Sequence, residues 1–332
     1  MPGLSVIVPS YNSEKSIGRT LAAIRGSSYG QYELIVVDDG SSDQTALIAE
    51  KYADKLIRLP CNSGKNNARR KGLGAASAEI IVNIDSDVVV RPDTLANISN
   101  YFSEHPETGA ITGLFSKHHP NDDFFSQYKN LYMHYIFKRL PEKVTFLFGS
   151  IYAIRKESAV ICNNHYKFGE DTAYGQQLVS CGRQIAFLND LEVTHLKKYN
   201  FFSLLKNDFR IAFYWANILI KYKGWEQLGK NKIGFAHSPV EQLISVVLAF
   251  LISLCVFVPL LRNLKFLAAS FCLVILWLVL NLRFFWFLFR EKGLLFILGS
   301  IFLTFLDNIV MASGIILGLV FGLTSFFRDD KE

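Results

Sequence analysis

Through residue 115 the chain alternates short runs of consecutive apolar residues with stretches whose apolar positions recur every three or four residues. The runs predict buried strands at 5–9, 33–37, 56–59 and 80–84, and the periodic stretches predict helices at 13–24, 42–52 and 66–76. Strands that are apolar on both faces and separated by helices imply a parallel sheet covered on both sides. In such sheets ligands sit beyond the carboxyl ends of the strands.

From Pro239 onward the pattern changes, because charged residues thin out and the apolar runs become long. Residues 240–261 and 264–282 each approach the ~20 residues that a helix needs to cross a hydrocarbon core of ~30 Å. Residues 294–327 would cross once with length to spare, so a tilt or a break near Gly314, Gly318 and Gly322 is expected. Lys221, Lys223, Lys230 and Lys232 before the first span, and Arg283, Arg290 and Lys292 after the second, suit cytoplasmic flanks, whereas Arg262 and Lys265 weigh the other way. No signal peptide is read ahead of the first strand, so the expected place is a membrane, multi-pass, with the rest of the chain cytoplasmic. Residues 199–225 mix aromatics and leucines with Lys206, Arg210, Lys221 and Lys223, as helices lying in a membrane interface do; an amphipathic core helix has the same composition. The expected division is 1–200 for an α/β domain, 201–238 for interfacial helices and 239–328 for a membrane domain of two to three spans.

Composition sharpens this only in part. Of 332 residues, 50% are hydrophobic, more than an ordinary soluble domain of this size carries. The formal net charge of +6 suits an anionic membrane surface or anionic small-molecule substrates, and no nucleic-acid partner is expected. The five cysteines show no CxxC or ligand spacing and read as reduced thiols.

Three predicted strand ends carry polar residues: Pro9-Ser10-Tyr11-Asn12, Asp38-Asp39-Gly40-Ser41-Ser42-Asp43, and Asp85-Ser86-Asp87. Two carboxylates spaced by one residue where a buried strand surfaces can clamp a divalent cation, which takes hard oxygen ligands and can in turn hold a diphosphate. Tyr11 can stack on a base, and the acceptor-only carboxylate of Asp39 can read a base edge or a ribose. The Asp-Asp-Gly-Ser stretch is equally a turn with a helix N-cap at Ser41 or Ser42. Neither GxGxxG nor a Walker A loop is present, so a dinucleotide-binding Rossmann domain is not expected.

Taken with Asn62-Ser63-Gly64-Lys65-Asn66-Asn67-Ala68-Arg69 and Phe168-Gly169-Glu170-Asp171, these segments resemble the family 2 glycosyltransferases, over roughly residues 3–215. The resemblance implies an α/β GT-A fold, a mixed sheet flanked by helices, followed by interfacial and transmembrane helices. It implies a nucleotide-diphosphate sugar donor held by Pro9, Tyr11, Asp38, Asp39, Asn62, Lys65, Arg69, Asp85 and Ser86. It further implies Mn²⁺ or Mg²⁺ on Asp87, with Asp85 either a ligand or a ribose contact. Lys65 and Arg69 read equally as a solvated helix face.

An inverting sugar transfer to a hydroxyl needs a general base. By resemblance Asp171 is that base, and Glu170 touches the acceptor or orients the site; without that context the pair would be an ordinary helix start. His195 lies where relatives carry a further metal ligand and is otherwise a structural histidine. His118, His119 and His165 have no partner that the sequence identifies. The Gln-x-x-Arg-Trp signature of processive polysaccharide synthases is missing, which points to single sugar addition. Asp307-Asn308 places a carboxylate deep in the last apolar run, where it faces a partner or an acceptor path, or serves packing through Asn308. The expected activity is transfer to a hydroxyl of a lipid or lipid-linked glycan. A polyprenyl-phosphate acceptor and a non-catalytic nucleotide-sugar-binding membrane protein are the alternatives.

Overall fold

The computed structural model describes residues 3–159, 169–221, 238–257 and 264–329. It divides into two compact units, Met1–Asp122 with Phe137–Lys198 and Asp123–Ile136 with Tyr199–Glu332. In chain order the elements are β1 (Leu4–Ser10), α1 (Ile17–Arg25), β2 (Tyr32–Asp38), α2 (Thr45–Glu50), β3 (Lys55–Arg58), α3 (Lys65–Ala75), β4 (Ile80–Ile84), β5 (Val88–Val90), α4 (Thr94–Glu104), β6 (Ala110–Phe115), α5 (Phe124–Phe137), β7 (Lys143–Val144), β8 (Ile151–Arg155), α6 (Glu170–Ser180), β9 (Ile185–His195), α7 (Phe201–Lys221), α8 (Val240–Phe257), α9 (Leu264–Lys292) and α10 (Leu294–Asp329).

The first unit is a mixed sheet in the order β3-β2-β1-β4-β8-β6-β9-β5, with β7 on β9. Strands β3, β2, β1 and β4 are parallel, as their apolar runs predict, and every residue of β1 is buried. Beyond them β8 runs antiparallel to β4 and β6, and β5 antiparallel to β9, so the sheet is mixed rather than parallel throughout. Register decides what meets at the carboxyl edge. Ser10 pairs with Asp38, Ile84 with Ile151 and Val88 with His195. Those pairings bring the polar strand ends to one line.

Two helices start later than the periodicity predicts. Helix α1 begins at Ile17, and Ser13 to Ser16 form a turn in which the Ser16 and Ile17 amides donate to the Ser13 carbonyl. Helix α2 begins at Thr45, whose amide donates to Asp43 at 2.9 Å. Ser41 and Ser42 are therefore not its N-cap. Ser41 Oγ accepts from the Asn12 amide, and the Ser42 amide donates to Asn12 Oδ1, both at 2.9 Å, which ties the first two strand-end loops together.

The second unit is helical and contains α5, which the sequence reading left unassigned. Tyr128, Leu204, Leu248, Trp277, Phe284 and Leu303 belong to its apolar core. Helix α10 runs from Leu294 to Asp329 without the break expected at the glycines. Those glycines do something else. A Cβ at Gly314 would stand 2.6 Å from the Phe209 carbonyl oxygen, and one at Gly318 would stand 2.3 Å from that of Phe213. The series is the seam along which α7 lies directly on α10, so α7 buries one face there while Phe202 at its start is 79% exposed.

Residues Ala268–Lys292 and Leu294–Leu323 are long and apolar enough to cross a membrane. Val240–Cys255 is apolar but shorter, and the remainder of the expected 240–261 span lies outside the described residues. Lys223, Lys230 and Lys232 lie outside them as well. Polar side chains inside the unit are paired across helices. Lys129 Nζ meets Asp208 Oδ1 at 2.6 Å, Tyr128 and Thr304 hydroxyls are 2.9 Å apart, and Asn308 Nδ2 donates to Ser245 Oγ at 2.8 Å. Asp307 and Asn308 are both buried, and the Asp307 carboxyl faces Asp208.

Candidate active site

Asp85 follows β4 directly, and its amide donates to the Ser150 carbonyl at 3.2 Å, which sets the β4 end against the turn before β8. Its carboxylate is held from two sides, by Lys65 Nζ on Oδ2 at 2.7 Å and by Arg69 on Oδ1 at 3.1 Å. One turn apart on α3, those two cations face inward. Arg69 is buried, so the solvated-face reading fails for it, while Lys65 stays half exposed. Burial works against the charge of Lys65, yet Asp85 raises its pKa above the ordinary value.

Arg69 extends the arrangement toward α6. It donates to the Gly149 carbonyl at 2.8 Å, its Nη1 lies 3.5 Å from Glu170 Oε1, and its guanidinium stands over the Tyr152 ring at 5.5 Å. The Gly149 amide in turn donates to Asp171 Oδ2 at 2.9 Å. A Cβ at 149 would lie 2.8 Å from Asp171 Oδ2 and 3.2 Å from Arg69 Nη2, so a larger residue there would displace these side-chain ends. Burial, and then the Asp171 charge, raise the Glu170 pKa, while Arg69 opposes both. Burial pushes the Tyr152 hydroxyl up to about 12. Behind Arg69 a cavity of about 100 Å³ is lined by Asn66, Asn83 and Tyr152 among others. Asn66 Nδ2, Arg69 Nε and Asn83 Oδ1 lack a partner among the described residues, a set of donors and an acceptor suited to ordered water.

Asp87 stands beside this group, within reach of the Lys65 charge. Its Oδ2 lies 3.5 Å from His195 Nε2; burial works against its charge, but His195 and then Lys65 and Lys197 together hold its carboxyl well below the usual range. His195 stacks on Phe115 with ring centroids 4.3 Å apart. An imidazole nitrogen and a carboxylate side by side are a donor pair that Mn²⁺ accepts. No third His, Cys, Asp or Glu joins this pair among the described residues, which leaves room for diphosphate oxygens as further ligands. Asp85, with both oxygens already paired, is placed less directly for a metal than Asp87.

The remaining predicted residues divide. Tyr11 is 47% exposed and open to stacking. Asp39 is less open than expected, because Ser63 and Gly64 amides and the Ser63 hydroxyl donate to its carboxylate at 2.7–3.0 Å. It closes the Asn62 turn over the β2 end. Asp38 accepts from the Ser41 amide at 3.2 Å, Pro9 lies in β1, and Asn62 is exposed on its turn. Ser86 shares a hydrogen bond with Ser13 at 2.9 Å. His119, which the sequence left without a partner, receives the Asn121 amide on Nδ1 at 3.2 Å and has its Nε2 3.2 Å from the Lys197 carbonyl. His165 and Phe168 lie outside the described residues. The partners of Ser13 and His119 carried no sequence signal, and Tyr152, within the stretch 148–152 that resembles the family's acceptor-side strand, gave no sign of its contact with Arg69.

The sequence profile of Glycosyl transferase family 2 matches residues 5–161. Poly-beta-1,6-N-acetyl-D-glucosamine synthase of Staphylococcus epidermidis is 33% identical over 115 residues, 33% of this chain and 28% of that protein. Poly(ribitol-phosphate) beta-N-acetylglucosaminyltransferase TarS of Staphylococcus aureus is 38% identical over 112 residues, 32% of this chain and 20% of that protein. This chain thus aligns with less than a third of the length of either relative. Mannosyltransferase PcManGT from Pyrobaculum calidifontis, solved in complex with GDP-Man and Mn²⁺, superposes with a TM-score of 0.57 at 19% identity, covering 97% of this chain and 87% of that one. The shared fold is GT-A.

Proposed function

We propose, on the premise that residues 5–161 make this chain a member of glycosyl transferase family 2, that it moves a sugar, with inversion, from a nucleotide-diphosphate donor to a hydroxyl of a lipid or lipid-linked acceptor. The observation that carries this reading is the continuous chain of contacts Lys65–Asp85–Arg69–Glu170 with Asp171 fixed through Gly149. It ties the strand ends that suit a donor to a carboxylate pair that suits an acceptor.

Asp171 is the base in this reading, taking the proton of the attacking hydroxyl. Burial and then the Asp171 charge raise the pKa of its neighbour Glu170, whose contact with Arg69 suits it to orienting the site. Lys65 and Arg69 set the orientation of Asp85, and Lys65, half exposed, can turn toward donor phosphate. Mn²⁺ or Mg²⁺, held by Asp87 with His195, would neutralise charge on the departing diphosphate. Support for a donor of this class comes from the relatives, one named a poly-beta-1,6-N-acetyl-D-glucosamine synthase and the other a beta-N-acetylglucosaminyltransferase, and from the fold neighbour solved in complex with GDP-Man and Mn²⁺. Support for a membrane-embedded acceptor and a multi-pass anchor comes from the two crossing-length apolar helices.

The test is nucleotide release by the full chain in native lipid extract with Mn²⁺, across UDP, GDP and dTDP sugars. Asp171→Asn should lower the turnover number by about 10²–10⁴-fold while metal-dependent nucleotide binding persists. Undiminished transfer by that variant would overturn the base assignment and favour a phosphate nucleophile.

A further inference from the structure

Two loops of the α/β unit, 116–121 and 196–198, are knitted into one surface. The Ser116 amide donates to the Val193 carbonyl at 2.9 Å, Asn121 Nδ2 donates to the Leu196 carbonyl at 3.3 Å, and His119 Nε2 lies 3.2 Å from the Lys197 carbonyl. His119 itself is 3% exposed, so it is the pin and not the surface. Lys117, His118, Lys197 and Lys198 are exposed on these loops, with the exposed acid Asp122 just beyond the first of them, and the charge of Lys197 also acts on Asp87. The Leu196 amide donates to the Asp87 carbonyl at 2.8 Å, which fixes this basic rim beside the Asp87–His195 pair.

The rim stands where the chain leaves the α/β unit. Lys198 is the last residue of that unit before Tyr199, and the loop of Lys117 and His118 ends at Asp122, before Phe124. Phe202 is only four residues beyond Lys198, at most about 14 Å of extended chain. It is an exposed aromatic ring at the start of a helix in the unit that carries the crossing-length apolar helices. Lysines followed within a few residues by exposed aromatic side chains are the arrangement by which a chain meets the headgroup layer, cations on phosphate and rings at the apolar boundary.

We infer that the loop pair 116–121 and 196–198 is a docking surface for anionic lipid headgroups, which seats the Asp87–His195 end of the site against the bilayer. The inference rests on the membrane reading of the function and deepens it. A donor can arrive from water at the Tyr11 side while a lipid-borne acceptor arrives at the headgroup level.

The test is native mass spectrometry of the full chain in neutral detergent, titrated separately with phosphatidylglycerol, phosphatidylcholine and inorganic phosphate. Wild type should retain phosphatidylglycerol about fivefold more tightly than K117Q/K197Q/K198Q, with phosphatidylcholine unchanged and the difference lost at high salt. Equal retention by the two proteins would overturn the inference. So would displacement of the lipid by millimolar phosphate, which would make this a free-phosphate site, or by nucleotide diphosphate, which would make the lysines part of the donor site. If the triple variant fails to fold, K198Q alone carries the same comparison. Lipid selectivity is read without turnover, so a chain that binds phosphatidylglycerol in this way yet releases no nucleotide would sink the transferase reading and leave the surface standing.

Discussion

Each unit holds a lysine against an aspartate at almost the same distance, Lys65–Asp85 at 2.7 Å in the α/β unit and Lys129–Asp208 at 2.6 Å in the helical unit. The lysine side chains differ in exposure, 41% against 9%. Geometry is therefore shared and surroundings are not. Water reaches the lysine of the first pair and Arg69 also holds its buried aspartate, so that lysine can exchange a carboxylate for a phosphate. The second pair has no such alternative, and breaking it strands a charge among apolar helices. One pair is poised for a ligand, and the other locks α5 to α7.

The largest effect that separates them is on stability. Lys129→Ala should cost about 3–5 kcal/mol, because Asp208 would stay buried without its counter-ion. The measurement is thermal unfolding of the full chain in detergent. Replacing both partners together, K129M/D208L, should recover most of the loss, since a buried pair exchanged for apolar groups of similar volume is often neutral. A double variant as unstable as the single one would mean that the pair holds other groups in place, and Asp307 beside it would be the first to examine.

The helical unit should also be sensitive where no charge is involved. Gly318→Ala puts a methyl where the Phe213 carbonyl oxygen already stands 2.3 Å from the Cβ position. Helices α7 and α10 must separate, at about 1–3 kcal/mol. Gly293, at φ +82°, has nothing within 4 Å of its Cβ position, so a variant there tests backbone conformation without the clash.

The α/β unit has buried charges of its own, and Glu33 is one that acid should discharge. Glu33 in β2 accepts from Ser5 and Ser77 hydroxyls at 2.6 Å and from Lys55 Nζ at 2.7 Å. Burial works against its charge, but Lys55 and then the serines lower its pKa from 4.5 to about 2. The folded value lies below the unfolded one, so this stabilisation is complete above about pH 4.5 and is lost as the pH falls toward 2. Glu33→Gln should cost about 2 kcal/mol at pH 7, and its penalty relative to wild type should shrink on acidification through that window. A penalty that stays constant down to pH 2 would show that the carboxylate's charge is not what matters.

The sequence carried the α/β unit further than the helical one, for a physical reason. A buried strand is a local signal, and polar residues at its end announce the edge of a sheet, so Asp38, Asp85 and Asp87 were legible before any coordinates, whereas Glu170-Asp171, at a helix start, was singled out only by the family resemblance. What closes the site was not. Asp39 is covered by Ser63 and Gly64, Arg69 is buried between Asp85 and Glu170, and His119 is pinned to Lys197 only because β6 and β9 lie side by side in the sheet. In the helices the glycine series reads equally as a break or as a seam, and only the position of α7 decides. Lys129 lies in a segment that mixes aromatics with polar residues and has no clean period, so its tie to Asp208, 79 residues on, had no sequence signal.

The smallest stability effect is the one that tests function most directly. Lys65→Ala removes a half-exposed ion pair that contributes about 0–1 kcal/mol, and Arg69 still holds Asp85 Oδ1, so the unfolding temperature should barely move. If Lys65 exchanges Asp85 for donor phosphate, the same variant should weaken nucleotide-sugar binding about tenfold, as loss of one charge-assisted hydrogen bond does. Lys65→Arg should restore part of it. Calorimetric titration of nucleotide diphosphate into both variants distinguishes the cases: unchanged affinity in K65A makes the lysine a holder of Asp85 alone, whereas weakened binding at unchanged stability makes the exposed pair the mobile half of the site and Lys129–Asp208 its fixed counterpart.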